Sequence, residues 1–212
     1  MQAWLANIIC SNKSYTLPFA HRKNISRISL TPRGNILLSI DEDGRAILTN
    51  FTRRIALHHF SFRSPVSTLT FSPSGRYFAV GIGRQIEVWH TPSTPDSNVD
   101  GELEFAPFVR HRVYTGHYDS IQSIRWSSDS RFFLSAAKDL TARIWSLEPE
   151  EGFVPTTLAG HREGLEGAWF TKDQETVTFQ FYCLSFKSNA KVDIHSQPRR
   201  CPISMAVPRT AC

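Results

Sequence analysis

The sequence predicts an all-β protein of the β-propeller type, in which four-stranded antiparallel sheets, or blades, repeat around a central axis. Short runs of β-branched and aromatic residues alternate with polar turns, as expected for strands. The order strand, turn, strand, turn, strand also recurs along the chain. The residues that end each first strand lie 41, 55 and 44 residues apart; they are Leu30, Phe71, Trp126 and Phe170. Propeller blades repeat at about 40–45 residues.

The clearest of these units lies at residues 116–146. It opens on Gly116-His117 and closes on Ile144-Trp145, with strands predicted at Ile121–Trp126 and Phe132–Ala136. A Gly-His entry and a Trp exit about 30 residues later are the pattern of one WD repeat.

Two units upstream share this frame. Their first strands are predicted at Ile25–Leu30 and Val66–Phe71, and their outer strands at Ile55–Phe62 and Phe108–Tyr114. The longest interval contains residues 91–107, whose prolines and low apolar content predict a surface loop. The insertion leaves the blade frame intact.

A fourth unit starts at Gly160-His161 and continues through a first strand that ends at Phe170, with a possible second strand in residues 176–186. The pattern then stops. We therefore predict an incomplete propeller over residues 1–182, with about three blades and part of a fourth. The chain is expected to start within the end of a preceding blade, and residues 183–212 are predicted to be a disordered basic tail without a blade role.

Composition narrows the functional class. The net charge is +5, but residues 183–212 hold five basic residues and one acidic residue, so the basicity is weak evidence about the folded part. The four cysteines form no C-x-x-C pair, which argues against a zinc site and suits a reducing compartment. We recognise no membrane-spanning run and no signal peptide.

One set of polar residues is predicted to be structural. In a WD repeat the Gly-His histidine, a strand Ser, the turn Asp and the terminal Trp form a buried network, because buried polar groups need hydrogen-bond partners. Here the set is His117, Ser135, Asp139 and Trp145. The other units are incomplete. The first keeps Asp43 but has Thr49 at the Trp position, the second lacks both Gly-His and a turn Asp, and the fourth has only His161.

Chemical interpretations of the same chain are weaker. Ser135, His117 and Asp139 have the residue types of a catalytic triad, but the serine would lie in a buried strand without an oxyanion-hole motif. Gly81-Ile82-Gly83 lacks the pattern of a phosphate loop. His58-His59 has no further ligand at metal-binding spacing. We predict no catalytic residue, cofactor, metal, small-molecule substrate or membrane partner.

Two basic spots remain as candidates for partner or RNA contacts. Arg53 and Arg54 lie next to one outer strand, and Arg110 and Arg112 flank His111 on another. The alternative is a solvated strand edge, which propellers commonly present.

Several segments together resemble a particular WD-repeat family. Residues 16–35, residues 55–83 with the motif ALHHF-x-F-R, the RIW-terminated unit and residues 158–170 are similar to the N-terminal propeller of the periodic tryptophan protein of the small-subunit processome. The resemblance covers about residues 12–175.

This resemblance implies a nucleolar scaffold without catalytic residues. The expected partners are other WD-repeat and processome proteins, with precursor rRNA or small nucleolar RNA as further candidates. The family supports maturation of the small-subunit rRNA. Two alternatives stay open: an adaptor in another complex, such as a ubiquitin ligase or chromatin, and a truncated product without an independent function.

Overall fold

A computed structural model of the chain describes residues 21–92, 108–171, 176–181 and 189–193. Within these ranges the backbone forms β-strands and no helix, so the predicted all-β class is confirmed. Accordingly, this part of the chain contains no helix that is long and apolar enough to cross a membrane.

Blades 1 and 2 are four-stranded antiparallel sheets whose strands follow the chain order. Blade 1 consists of β1 (Ile25–Leu30), β2 (Ile36–Asp41), β3 (Arg45–Asn50) and β4 (Ile55–Ser61). Blade 2 consists of β5 (Val66–Phe71), β6 (Tyr77–Ile82), β7 (Gln85–His90) and β8 (Arg110–Thr115). The predicted strands are present, and several begin or end one or two residues away from the predicted bounds.

Blades 3 and 4 continue the same order along the chain. Blade 3 consists of β9 (Ile121–Trp126), β10 (Phe132–Ala137), β11 (Ala142–Ser146) and β12 (Thr156–Leu158). Among the described residues, blade 4 has three strands, β13 (Leu165–Phe170), β14 (Thr176–Phe181) and β15 (Asn189–Asp193). Four successive sheets of this kind agree with an incomplete propeller.

The third strand of blade 4 corrects one prediction. We assigned residues 183–212 to a tail without a blade role, but β15 pairs antiparallel with β14 over five residue pairs, from Thr176↔Asp193 to Gln180↔Asn189. A ladder forms through backbone groups, so a strand at the edge of a sheet needs no Trp and no turn Asp in its sequence. The remaining residues of the predicted tail lie outside the described ranges.

The blades stack face to face through apolar side chains. Strand side chains alternate between the two faces, so each sheet contributes one set to each neighbour. Leu38 and Leu48 of blade 1 pack against Phe71, Phe78 and Val80 of blade 2. Similar clusters join blade 2 to blade 3 and blade 3 to blade 4. Full burial of a Leu or Phe side chain contributes about 1.5–3 kcal/mol, and these contacts hold the sheets in register.

The first strand is the exception to this burial. Ile25, Ile28 and Leu30 of β1 are 55%, 61% and 44% exposed. The equivalent residues that end β5, Val66 and Phe71, are buried against blade 1. No described blade precedes β1, so its apolar residues remain open to solvent.

The turns define two ends of the stack. We call the end with the β2–β3, β6–β7 and β10–β11 turns the upper end, and the opposite end the lower end. At the upper end the Ile121 amide donates to Gly83 O at 2.8 Å and the Lys138 amide to Ser120 O at 3.0 Å. At the lower end the Ser74 amide donates to Ser130 Oγ at 2.9 Å. Hydrogen bonds therefore connect blades 2 and 3 at both ends.

Candidate functional site

Blade 3 contains a hydrogen-bonded set made of all four predicted network residues. His117 Nδ1 lies 2.8 Å from Asp139 Oδ2, and His117 Nε2 lies 2.7 Å from Ser135 Oγ. Trp145 Nε1 lies 2.8 Å from the same Ser135 oxygen. The strands explain this proximity, because Ser135 on β10 pairs with Arg143 on β11, two residues before Trp145.

The donors and acceptors of this network fix one arrangement of protons. The Asp139 carboxylate only accepts, so His117 donates from Nδ1. The Trp145 indole only donates, so Ser135 Oγ accepts from it and gives its own proton to His117 Nε2. Every member has a partner in this arrangement, so burial of these four polar side chains costs little free energy.

The pKa shifts of His117 and Asp139 agree with a neutral imidazole beside an ionised carboxylate. Burial lowers the pKa of His117 below its ordinary value of 6.5, and the hydrogen bond to Asp139 offsets only part of this effect. Burial raises the pKa of Asp139, but hydrogen bonds from Thr141, the Tyr118 amide and His117 outweigh it, so the net pKa lies below the ordinary value.

The network connects two loops at the upper end. Asp139 Oδ2 also accepts from the Tyr118 amide at 2.9 Å, which fixes the connection between β8 and β9. Asp139 Oδ1 accepts from the Thr141 amide at 3.0 Å and its hydroxyl at 2.7 Å, which fixes the β10–β11 turn. One carboxylate thus determines how both loops are presented to solvent.

The distances in this set also match those of a catalytic triad, but a substrate cannot reach the serine. The Ser135 side chain is fully buried, and its oxygen already accepts the indole proton of Trp145. A nucleophile must reach an acyl or phosphoryl group beside stabilising donors, which this position does not allow. The arrangement therefore fits a structural role.

Blade 1 contains a second network that the sequence analysis missed. His21 Nε2 lies 2.7 Å from Ser39 Oγ, with the same separation of 18 residues as between His117 and Ser135. The acid beside the histidine is Asp41, at 3.7 Å from His21 Nδ1, and not the predicted Asp43. Asp43 instead pairs with Lys23 at 3.0 Å on the surface. Ala20 in place of the usual Gly hid this histidine, but the repeated 18-residue spacing reveals it.

Blade 2 satisfies its tryptophan in another way. Trp89 Nε1 donates to Glu87 Oε2 on the same strand at 3.1 Å. The indole ring also lies among aromatic side chains, stacking on Phe108 at 5.1 Å between centroids and on Phe78 at 6.5 Å. Glu87 was the missed residue here. Because residues two apart share a strand face, its spacing from Trp89 was the available signal.

Blade 4 keeps only the histidine, as its sequence indicates. His161 is buried and its ring lies 4.6 Å from that of Phe179. Burial lowers the pKa of His161. The buried ring therefore contributes an aromatic contact to Phe179 on β14.

The predicted basic contacts lie on separate blades. Arg53 and Arg54 are exposed in the turn between β3 and β4 at the lower end, and Arg54 has a positive φ of 59°. Arg110 begins β8 and pairs with Glu87 at 3.5 Å. Arg112 is exposed farther along the same outer strand. The two pairs thus belong to neighbouring blades, Arg53 and Arg54 to blade 1 and Arg110 and Arg112 to blade 2.

The other chemical interpretations find no support among the described residues, where no group of three or more His, Cys, Asp or Glu is arranged to hold a metal. His58 stacks on Phe108 at 5.2 Å between ring centroids. Gly81 lies inside strand β6, where an added Cβ would come within 2.6 Å of Thr68, so this glycine serves close packing of two strands. Gly83 forms the following turn with a φ of 56°.

Repeated four-stranded sheets, a His–Ser–Asp–Trp network and the Gly-His entry define the class of protein. The family described as "WD domain, G-beta repeat" matches residues 53–90 and 108–146. Each match begins near the outer strand of one blade and ends with the third strand of the next. The chain is a WD-repeat protein that forms part of a β-propeller.

Its relatives confirm the narrower resemblance. The chain is 69% identical over 169 residues to the Periodic tryptophan protein 2 homolog of Neurospora crassa, which covers 80% of this chain and 19% of the relative. It is 55% identical over 166 residues to the homolog of Schizosaccharomyces pombe, with 78% and 19% covered. It is 50% identical over 170 residues to Periodic tryptophan protein 2 of Saccharomyces cerevisiae, with 80% and 18% covered. The chain thus spans about a fifth of the length of these curated relatives.

Proposed function

We propose that the chain acts as a non-enzymatic interaction scaffold in ribosome biogenesis, in maturation of the small-subunit rRNA in the nucleolus. The observation that carries this proposal is the 69% identity over 169 residues to a periodic tryptophan protein 2 homolog. The family resemblance noted in the sequence implies the processome, with other WD-repeat proteins as partners. Because the chain spans about a fifth of its relatives, the assembly role belongs here to one segment of such a protein.

The geometry supports a scaffold because the buried polar side chains of blade 3 form hydrogen bonds with one another and stabilise the fold. His117, Ser135 and Asp139 bond to one another and to Trp145, and they hold the loops of blade 3 in fixed positions. Fixed loops on a rigid sheet favour binding, because little conformational entropy is lost when a partner docks. Propellers can bind partners through the loops at their blade ends without catalysing a reaction.

The lower end supports an RNA contact as part of this function. Its turns carry exposed arginines on three successive blades, and these are Arg33, Arg53, Arg54, Arg76 and Arg131. The Phe51 ring beside Arg53 is 50% exposed. Arginines bind phosphates, and exposed aromatic rings stack on unpaired bases, so this combination suits single-stranded RNA. Arg53 and Arg54, predicted from the sequence, belong to this surface.

Association in cells tests the proposal directly. The tagged chain is expressed in Saccharomyces cerevisiae, isolated at physiological salt, and assayed for precursor small-subunit rRNA by reverse transcription and for proteins by mass spectrometry. An unrelated tagged propeller is the control. We expect about tenfold enrichment of precursor rRNA and of WD-repeat processome proteins. Enrichment of a cullin or of histones without precursor rRNA would instead support an adaptor elsewhere and overturn the proposal.

A further inference from the structure

We infer that the upper end of blade 3 is a docking site for a segment of a partner protein that carries an apolar side chain next to a carboxylate. Tyr118 and Leu140 supply the apolar contact, and Arg143 and Lys138 supply the positive charge. We call these four residues the Tyr118 surface. The inference rests on the proposed scaffold function and names the chemistry of one partner.

The two apolar side chains are exposed on a backbone that hydrogen bonds hold in place. Tyr118 is 80% exposed, and its amide is fixed by the 2.9 Å hydrogen bond to Asp139. Leu140 is 39% exposed and lies between Asp139 and Thr141, which bond to each other twice across the turn. Preorganised aromatic and aliphatic side chains lose little entropy on binding, so they make effective anchors.

Leu140 occupies a backbone position that favours glycine. Its φ is 65°, whereas Gly44 and Gly83 have φ values of 82° and 56° in the matching turns of blades 1 and 2. A residue with a Cβ is disfavoured in this left-handed region, and its side chain here joins none of the three core clusters. Leucine thus lowers stability at this turn while exposing apolar surface. A contact outside the chain explains both features.

The charges around these anchors favour a carboxylate. The Arg143 guanidinium lies 5.9 Å from the centroid of the Tyr118 ring, and its Nε is buried without an acceptor among the described residues. Lys138 is exposed on the other side of Asp139. Asp139 itself already accepts hydrogen bonds from His117, Tyr118 and Thr141, and its side chain is 4% exposed. The Asp139 carboxylate is therefore already engaged, and the Arg143 guanidinium can pair with a carboxylate from a partner.

A protein fits this surface better than RNA does. The Leu140 side chain offers an aliphatic contact, which suits a protein side chain more than a base. The exposed arginines of the lower end suit a phosphate backbone instead.

Fluorescence anisotropy with purified components tests this inference. The probe is a fluorescein-labelled peptide that repeats Gly-Glu-Leu-Asp three times, and the comparison probes are the same peptide with Lys for each acid and a short polyuridylate. The variants are Leu140→Gly, Tyr118→Ser and Lys138→Glu. Val154→Ser is the matched control, because Val154 is 79% exposed in the β11–β12 loop at the lower end.

We expect the acidic peptide to bind the full chain, and each of the three variants to weaken binding by about five- to tenfold, with Val154→Ser unchanged. Leu140→Gly is the decisive variant, because it should melt at the same or a higher temperature while binding less. Three outcomes would each overturn the inference. The acidic peptide could fail to bind the wild-type chain, Leu140→Gly and Tyr118→Ser could bind it as tightly as the wild type does, or the chain could bind polyuridylate more tightly than the peptide. The assay contains no ribosomal component, so its failure would leave the cellular test of the proposed function unaffected.

Discussion

The imidazole of His117 and the carboxylate of Asp139 meet at 2.8 Å across a sequence separation of 22 residues. This contact closes the upper end of blade 3, because one partner lies before β9 and the other after β10. The His117 and Asp139 side chains are 1% and 4% exposed, so neither can exchange its partner for water.

Replacing Asp139 with Asn should therefore destabilise the chain. Asparagine cannot accept from His117, Tyr118 and Thr141 as a carboxylate does, so we expect the free energy of unfolding to fall by about 2–4 kcal/mol. Urea denaturation followed by tryptophan fluorescence measures this change. The control is Asp43→Asn, which alters only an exposed pair with Lys23 and should cost less than about 1 kcal/mol. Equal losses in the two variants would contradict a special role for the network.

The stability of the chain should fall on mild acidification. The pKa of His117 is lower in the folded state than its ordinary value of 6.5, and burial lowers the pKa of His161 as well. The unfolded chain therefore takes up protons more readily once the pH drops below that value. Stability is full above about pH 6.5 and decreases as the pH falls towards the folded-state pKa values.

Thermal melts from about pH 8 to about pH 5 check this expectation. His161→Leu removes one of these two imidazoles and should flatten the decrease, since leucine suits the contact with Phe179 and does not titrate. Val154→Leu, which changes an exposed side chain and no titratable group, is the control and should keep the wild-type slope. A melting temperature independent of pH across this range would rule out the linkage.

The buried hydroxyl of Thr49 should lower the stability of the chain. Its side chain is fully buried, and the hydroxyl has no hydrogen-bond partner among the described residues. In blade 3 the equivalent residue is Trp145, and its indole N–H donates to Ser135. Blade 1 has Thr49 at this position and therefore lacks the indole donor. Thr49→Val keeps the shape and removes the unsatisfied group, so we expect a gain of about 1 kcal/mol. Thr52→Val in the exposed β3–β4 turn is the control, and a loss of stability in Thr49→Val would refute the account.

The sequence was sufficient where a local pattern also determines the geometry. Gly116-His117 and Trp145 mark the ends of a blade, and alternation then assigns Ser135 and Asp139 to the same face. The network could be predicted for this reason. Fold class and most strands followed from the same repeat.

Other features depend on contacts that the motif does not encode. His21 follows an alanine, so only its distance to Ser39 connects it with the network. Asp41 replaces the expected Asp43 because the first acid ends β2 and turns toward the histidine. Strand β15 forms by backbone pairing with β14, which requires little of its own sequence.

The open face of β1 should make the isolated chain associate with itself. Ile25, Ile28 and Leu30 are 55%, 61% and 44% exposed, and exposed apolar strands of this kind promote edge and face association. We expect sedimentation to show mass that rises with concentration, and Ile28→Lys to reduce it. Val154→Lys, which adds the same charge at a distant exposed position, is the control. A monomer with a reversible melt independent of concentration would contradict this expectation.

The arginines of the lower end should make RNA binding salt-dependent. Each phosphate contact with single-stranded RNA lowers the slope of log affinity against log salt by about 0.7. Replacing Arg53 and Arg54 with Gln should therefore weaken binding of polyuridylate several-fold at low salt and make the slope shallower by about 1.4. Arg84→Gln, at the upper end, is the matched control for loss of a surface charge and should leave the slope near that of the wild type. If the double variant and Arg84→Gln behave alike, the basic lower end attracts RNA only through net charge, and Arg53 and Arg54 form no contact site.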